Sequence, residues 1–398
     1  MERTIYREIA ATRGVWQLAI LLAAFIAAAG LAVLFIEHHG HIVTGMNNQI
    51  VWGLPHVFAI FLIVAASGAL NVASIASVFG KTPYKPLARL SALLALALLA
   101  GGLAVLVLDL GRPDRLIVAM TKYNFKSIFA WNIYLYTGFF GVVGVYLFVQ
   151  MARGMPPLAV KVVGTVAFLW RLALTTGTGS IFGWLVARTA YDAAIMAPLF
   201  IAMSFALGLA VFILVATGVC KLTGRAFGEK LLNRMGRLLG IFAAVVLYFT
   251  AVQHLSNMYV AEHAGIERFI LADGGIYTNL FWIGQVLIGG VIPLIMIFHP
   301  TGGVKPASTI VASVLILLGG LAQLYVIVIG GQAYPLEIFP GYEVSSSFFD
   351  SGISRYAPSY LEFALGLGGV ALALMITGVG LKILRILPLS LADANVDL

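Results

Sequence analysis

The sequence predicts an all-α integral membrane protein of about ten transmembrane helices, on three observations. Only 10% of the 398 residues are charged while 61% are hydrophobic, against roughly a quarter charged in an ordinary soluble domain. The mean hydropathy of +1.01 is that of a chain solvated mostly by lipid. Apolar runs long enough to cross about 30 Å of hydrocarbon recur from end to end. They begin near Trp16, Gly53, Leu87, Ile128, Val160, Ala193, Leu238, Asn279, Thr309 and Tyr360.

The first run, 16–36, follows a polar, basic stretch and is longer than a signal-peptide core, so it reads as the first membrane helix. The fifth, 160–186, contains Thr175-Thr176-Gly177-Thr178-Gly179-Ser180, which predicts a kink or an unwound turn. A short internal echo groups the helices. Asp109 and Arg115 follow the third run at the separation at which Glu262 and Arg268 follow the seventh, and each next helix opens on an aromatic patch, Phe129-Ala130-Trp131 or Phe281-Trp282. This pattern suggests a single polytopic membrane domain with one four-helix bundle over 52–187, a second over 191–330, and a flanking helix at each end, 16–36 and 360–384.

With an even number of spans both termini share a side, and the basic residues choose which. Sixteen of the 24 Lys and Arg fall on the terminal side and seven opposite, with Arg171 inside the fifth run. The asymmetry predicts a bacterial cytoplasmic (inner) membrane protein with both termini in the cytoplasm. The net charge of +8 therefore reads as topology, and nucleic acid is not expected as a partner. Four of the seven outer cations sit in one loop, 110–127. The outer loops are the longer ones, and 331–359 carries Tyr334, Phe339, Tyr342, Phe348, Phe349 and Tyr356, an interfacial aromatic belt or a docking surface.

The one cysteine, Cys220, rules out an internal disulfide, a cysteine-ligated iron–sulfur cluster and a covalently attached haem in this chain, and reads as a small apolar filler. No phosphate-binding loop is present, and no metal site is expected; Glu37-His38-His39-Gly40-His41 reads as a solvated loop. Ionisable groups are costly in hydrocarbon and usually face a cavity or a partner. His56, Asp109, Arg188, Asp192, His254 and Glu362 all fall toward the outer third, which points to a shared pocket. On the second run His56, Ser67, Asn71 and Ser74 lie close to one helical stripe. Arg171, mid-span, would cost about 2.5–3.5 kcal/mol without an internal partner or a hydrated path. Ser67, Asn71, Arg171 and His254 are accordingly the proton-path candidates, and His56 with His254 is the pair that could ligate a b-type haem.

Three segments carry a family resemblance: Trp52-Gly53-Leu54-Pro55-His56; Leu108-Asp109-Leu110-Gly111-Arg112-Pro113-Asp114-Arg115 with Asn124 to Trp131 downstream; and Arg188-Thr189-Ala190-Tyr191-Asp192 before Pro198. The protein resembles the NrfD/PsrC family of membrane subunits of polysulfide-reductase-type complexes, and Met46-Asn47-Asn48-Gln49 to Gly80 looks most like its DsrP branch, of the DsrMKJOP complexes of sulfur metabolism. The resemblance implies a quinone, menaquinone or ubiquinone, bound near the outer face, with no haem or iron–sulfur cluster in this chain. It also implies a periplasmic ferredoxin-like iron–sulfur partner (DsrO-like), with a b-type cytochrome, a cytoplasmic iron–sulfur subunit and a c-type cytochrome as further subunits. His56 matches the histidine that contacts the quinone in the polysulfide-reductase relative. Trp52 stands where that relative has asparagine, and Thr176 lies near the place of its tyrosine.

Quinone chemistry moves two electrons and two protons. An imidazole exchanges protons with a headgroup oxygen near neutral pH, which suits His56. Asp109 or Asp192 would relay protons, while Arg112, Arg115 or Arg188 would orient carboxylates or headgroup; alternatively, Asp109 and Arg115 staple the outer loop. Two other function classes stand beside the quinone subunit: a secondary transporter or proton-translocating module, and a b-type cytochrome.

Overall fold

In a computed structural model of the protein, residues 5–299, 305–336 and 352–393 are described. Among them ten helices are long and apolar enough to span a membrane: α1 Arg13–His39, α2 Leu54–Ser77, α3 Thr82–Leu108, α4 Ile128–Met151, α5 Pro157–Ile181, α6 Met196–Thr223, α7 Glu229–Tyr259, α8 Ile276–Phe298, α9 Pro306–Ala333 and α10 Tyr360–Ile383. A spanning segment must satisfy its backbone hydrogen bonds internally, which is why each apolar run is helical. The expected runs are all present. The largest shift is in α7, whose amphipathic first turns from Glu229 extend it ahead of the apolar stretch at Leu238.

The expected kink in the fifth span is absent: α5 is one continuous α-helix from Pro157 to Ile181. The hydroxyls of Thr175 and Thr178 donate back to the carbonyls of Arg171 and Leu174 at 2.9 and 3.0 Å, so they are satisfied without opening the helix. The irregular backbone lies elsewhere. α2 is interrupted at Leu70, and π-helical turns occupy Leu280–Val291 of α8 and Val326–Gly330 of α9.

Burial shows which helix is central. In its most apolar window α2 is 94% buried, whereas α1 is 22% buried. α2 packs on α3, α6, α9 and α10; α1 lies mainly along α10, and α4 lies along α5. The α2–α6 contact depends on paired glycines. A Cβ built on Gly68 would overlap the carbonyl of Ser204, and one on Gly208 would overlap the backbone of Gly68. Small residues allow helix backbones to approach closely in a membrane, where van der Waals packing replaces the hydrophobic drive. Gly289 of α8 and Gly319 of α9 meet in the same way. Cys220 is buried in α6.

The two ends of the polypeptide meet. Strand β1, Tyr6–Arg7, pairs antiparallel with β2, Leu387–Pro388, and the Arg225 guanidinium donates to the carbonyls of Glu8, Leu387 and Pro388 at 2.8, 2.9 and 3.1 Å. The opposite end of the bundle carries the loop before α2, the end of α3, the α5–α6 connection and the end of α9. Of the aromatic residues expected in 331–359, Phe339, Tyr342, Phe348 and Phe349 lie outside the described residues. Gly208→Leu is expected to destabilise the protein by about 1–3 kcal/mol, the cost of overpacking a filled contact, seen as a lower thermal midpoint in detergent. Gly218→Leu, on the same helix where an added Cβ would meet nothing within 4 Å, is expected to leave the midpoint unchanged.

Candidate functional site

The site begins with a loop that side chains from other helices hold in place. Residues 45–53 lead into α2 and form no regular ladder of their own, so their backbone groups need partners elsewhere. Gln332, in the last turn of α9 and 1% exposed, supplies several. Its Oε1 accepts from the amides of Val51 and Trp52, each at 3.0 Å, and its Nε2 donates to the carbonyls of Trp52 at 3.0 Å and Val328 at 2.7 Å. Gln49 Nε2 donates to the carbonyls of Gln332 and Ala333 at 3.2 and 3.0 Å. The Arg188 guanidinium closes the ring by donating to the carbonyls of Gln332 and Gln49 at 3.1 and 2.9 Å. Burial pushes the Arg188 guanidinium below its ordinary value.

A second clamp holds the first turn of α2. Gly53 offers no capping side chain, and the Leu54 amide donates instead to Tyr356 Oη at 2.6 Å. That hydroxyl donates to Glu362 Oε1 at 2.5 Å, while Glu362 Oε2 accepts from the amides of Gly45 and Ser359 at 2.8 and 2.7 Å. Burial, and then the Glu362 carboxylate beside it, raise the Tyr356 phenol far above its usual value, so it stays a donor. Glu362 is therefore a fully buried structural acceptor.

These clamps fix Trp52 and, one turn into α2, His56. The Trp52 ring stacks on Tyr191 at 6.1 Å and lies 6.2 Å from the His56 ring, with Phe129 and Phe182 edge-on at 5.9 and 6.0 Å. Tyr191 is itself fixed by donating to the Val328 carbonyl at 2.6 Å, and burial raises its phenol well above the ordinary range. His56 Nδ1 lies 2.7 Å from Asp109 Oδ2, with the two side chains 13% and 1% exposed. The approach is off the N–H axis, so the contact is an electrostatic pairing and not an aligned hydrogen bond. Asp109 caps α3, and His41 Nε2 lies within hydrogen-bond distance of its backbone carbonyl, 3.1 Å away. Both oxygens of the Asp109 carboxylate are buried without a hydrogen-bond partner among the described residues, and Oδ2 is the one that faces His56.

The other expected residues are placed differently. Arg112 is exposed and forms a two-point pair with Asp114 at 3.0 and 2.9 Å, and Arg115 is exposed. Among the described residues neither pairs with Asp109, so the loop staple of Asp109 and Arg115 is not formed; Asp109 turns inward to His56. Asp192 is exposed and Thr176 half-buried. Its neighbour Thr175 faces inward, where its hydroxyl meets Ser67 Oγ at 2.5 Å, and Ser67 also donates to the Arg171 carbonyl at 3.1 Å. Arg171 is fully buried. Of the internal partner or hydrated path expected for it, the structure shows aromatic partners: its guanidinium lies over the rings of Phe205 and Phe168 at 4.5 and 4.9 Å, and its nitrogens have no hydrogen-bond partner among the described residues. Asn71 Nδ2 is likewise buried without a partner, and Ser74 bonds back to its own helix.

His254 belongs to a separate cluster. Its Nδ1 meets Glu267 Oε2 at 2.6 Å in an aligned hydrogen bond. The echo seen in sequence is thus not an equivalence of partners, because Glu267 and not Glu262 receives the histidine, and Arg268 pairs outward with Asp273. Sequence reasoning missed Gln332, Gln49, Tyr356 and Glu267. For Gln332 a signal existed, an amide side chain at the very end of an apolar run that holds a second one at Gln323.

The fold is that of a polytopic helical protein in which a clamped loop delivers one histidine to one buried carboxylate at the end opposite the termini. The family description polysulphide reductase, NrfD matches residues 42–335. The protein belongs to the NrfD family and is a multi-pass membrane protein. It is 28% identical, over 93% of each sequence, to the Hdr-like menaquinol oxidoreductase integral membrane subunit of Archaeoglobus fulgidus. It is 24% identical to the C subunit of the polysulfide reductase of Wolinella succinogenes, over 72% of this sequence and 96% of that one. Similarity to the menaquinone reductase integral membrane subunit of Nitratidesulfovibrio vulgaris is 22%, over 87% of this sequence and 85% of that one.

Gln332→Leu leaves the amides of Val51 and Trp52 without their acceptor, an expected cost of about 1–3 kcal/mol for each buried group left unpaired. The measurements are the thermal midpoint, which is expected to fall, and tryptophan emission, which is expected to shift to the red as Trp52 loosens.

Proposed function

We propose that this protein is the quinone- or quinol-binding subunit of a membrane redox complex, with His56 and Asp109 at its headgroup site. One observation carries the reading: a buried carboxylate with an orphaned oxygen, Asp109 Oδ1, beside a histidine whose Nδ1 it holds. An unsatisfied buried oxygen is costly and calls for a donor. A quinol hydroxyl is such a donor, so the residues fit the group. Because Nδ1 faces Asp109, Nε2 is the ring nitrogen left for a headgroup oxygen. Trp52 offers a flat apolar wall, and Phe129, well exposed on α4, borders it edge-on at 5.9 Å, on the side a lipid-dissolved molecule would come from.

In this reading His56 accepts or gives the proton that accompanies electron transfer, and the Asp109 carboxylate, 2.7 Å from Nδ1, stabilises the imidazolium by its opposite charge. Arg188 holds the loop, through Gln49 and Gln332, instead of touching the headgroup. Two relatives are named for menaquinol and menaquinone, which favours menaquinone over ubiquinone as the substrate. No iron–sulfur ligand set is possible with one cysteine, so electrons pass to a partner; we assign this to a ferredoxin-like iron–sulfur subunit on the outer face, in a Dsr-type complex of sulfur metabolism. The cytoplasmic placement of both termini, from the basic-residue asymmetry, belongs to the same proposal.

The test is a fluorescence-quench titration of a quinol analogue against the purified complex. Saturable binding is expected, weakened about 10- to 100-fold in His56→Ala, the loss of a hydrogen bond worth about 1.5–3 kcal/mol to a charged group, with Asp109→Asn intermediate. Equal binding in wild type and both variants, with the complex still assembled, overturns the assignment.

A further inference from the structure

We propose that the part of the molecule formed by α7, α8 and α9 carries a proton-loading site of its own, the buried His254–Glu267 pair, reached through a file of amide side chains and water. It is separate from the His56 site and does not rest on the quinone reading.

The pair is more completely built than His56–Asp109. His254 is 8% exposed and Glu267 2%. Glu267 Oε2 receives His254 Nδ1 at 2.6 Å, and its Oε1 receives Asn257 Nδ2 at 2.8 Å. Packing alone does not require such a pair, since an apolar side chain of similar volume would fill the space without the desolvation cost. What lies behind it supports a conducting role. Thr250 Oγ1, deeper on α7, accepts from Gln285 Nε2 of α8 and Gln323 Nε2 of α9, each at 3.2 Å. Three helices thus bring neutral polar groups to one point inside an apolar bundle.

Two small cavities meet at those glutamines. The outer one, about 20 Å³, is bordered by Gln253, His254 and Phe281 as well as Gln285 and Gln323. The inner one, also about 20 Å³, is bordered by Leu247, Gly289 and Gly319 with the same two glutamines. A space above about 10–15 Å³ with polar partners holds a water molecule. The backbone is irregular on both sides: Gln285 sits in the π-helical stretch of α8, and Val326, which borders the outer cavity, begins that of α9. Such turns inside helices are frequent at functional sites.

The step moves one proton and no electrons. A water in the outer cavity, protonated through the file, delivers a proton to His254 Nε2 and leaves as neutral water; Nδ1–H remains on the Glu267 carboxylate, which balances the imidazolium. Release is the reverse. The groups facing the pair from the neighbouring elements are neutral: Gln285 and Phe281 from α8, Gln323 from α9, and Ala190 and Met196 before and on α6. The nearby titratable groups are His263, buried four residues before Glu267 with no partner for its Nδ1 among the described residues, and Arg268, which pairs outward with Asp273.

The experiment is infrared difference spectroscopy of the full-length protein in lipid nanodiscs, without quinone, stepped across about pH 5–8, where an imidazole titrates, and repeated in deuterium oxide. Expected is an imidazole–imidazolium band component, over and above that of the other six histidines, that is lost in both His254→Asn and Glu267→Gln, and whose deuterium exchange slows in Gln285→Leu. If the two pair variants do not fold, exchange in Gln285→Leu still decides. A wild-type spectrum indistinguishable from those of the pair variants marks an inert ion pair and overturns the proposal. So does exchange in Gln285→Leu as fast as in wild type, which means that the pair loads directly from the surface.

Discussion

The contact of α2 with α6 at Gly68 and Gly208 is the constraint on which the rest of the structure depends. Two backbones touch there with no side chain between them, and a helix that close to its neighbours has its remaining surface covered by α3, α9 and α10. Enclosed in this way, α2 becomes the fixed axis of the molecule. His56 stands at one end of that axis and Ser67 and Asn71 face α5 and its surroundings further in, so the depth and rotation of every polar group on the helix follow from one small-residue contact.

The second requirement is to hold non-helical backbone near the membrane. An irregular loop tolerates that position only where protein groups take the place of water. Gln332, Gln49, Arg188, Tyr356 and Glu362 together do so for residues 45–54, almost entirely through side-chain bonds to backbone atoms. The outcome is a rigid aromatic wall at Trp52 and a histidine with a single orientation. This is the preorganisation that a site moving protons at a ligand oxygen requires. The His254–Glu267 cluster differs in kind, because its acid is held by two donors whereas neither oxygen of Asp109 has an aligned donor among the described residues.

The helices were legible because their signal is local: a run of apolar residues long enough to span is visible without knowing its neighbours. His56 and Asp109 were legible as costly residues at helix ends, and the structure brings them together. What the sequence hid has two causes. The partners that fix the site lie far apart along the polypeptide, as with Gln332 and Trp52 or Glu362 and Gly45, so no spacing rule connects them. Composition also misled where small polar residues had two uses. Thr175 to Ser180 look like a breaking run, yet the threonines satisfy their hydroxyls on the preceding turn and the glycines serve close packing, so the helix continues. Arg171 called for an internal partner or a hydrated path without saying which groups would meet it, and two aromatic faces do.

The pairing of β1 with β2, and of α1 with α10, has a consequence for the order in which the protein is made. α1 leaves the ribosome long before α10, its main neighbour, so it must wait in the lipid, largely uncovered, until the tenth helix has been synthesised. Its burial is a late event although its synthesis is an early one. A polypeptide truncated before Tyr360 would reveal its defect at its other end, with Arg13–His39 left as an unclaimed helix that quality control can recognise.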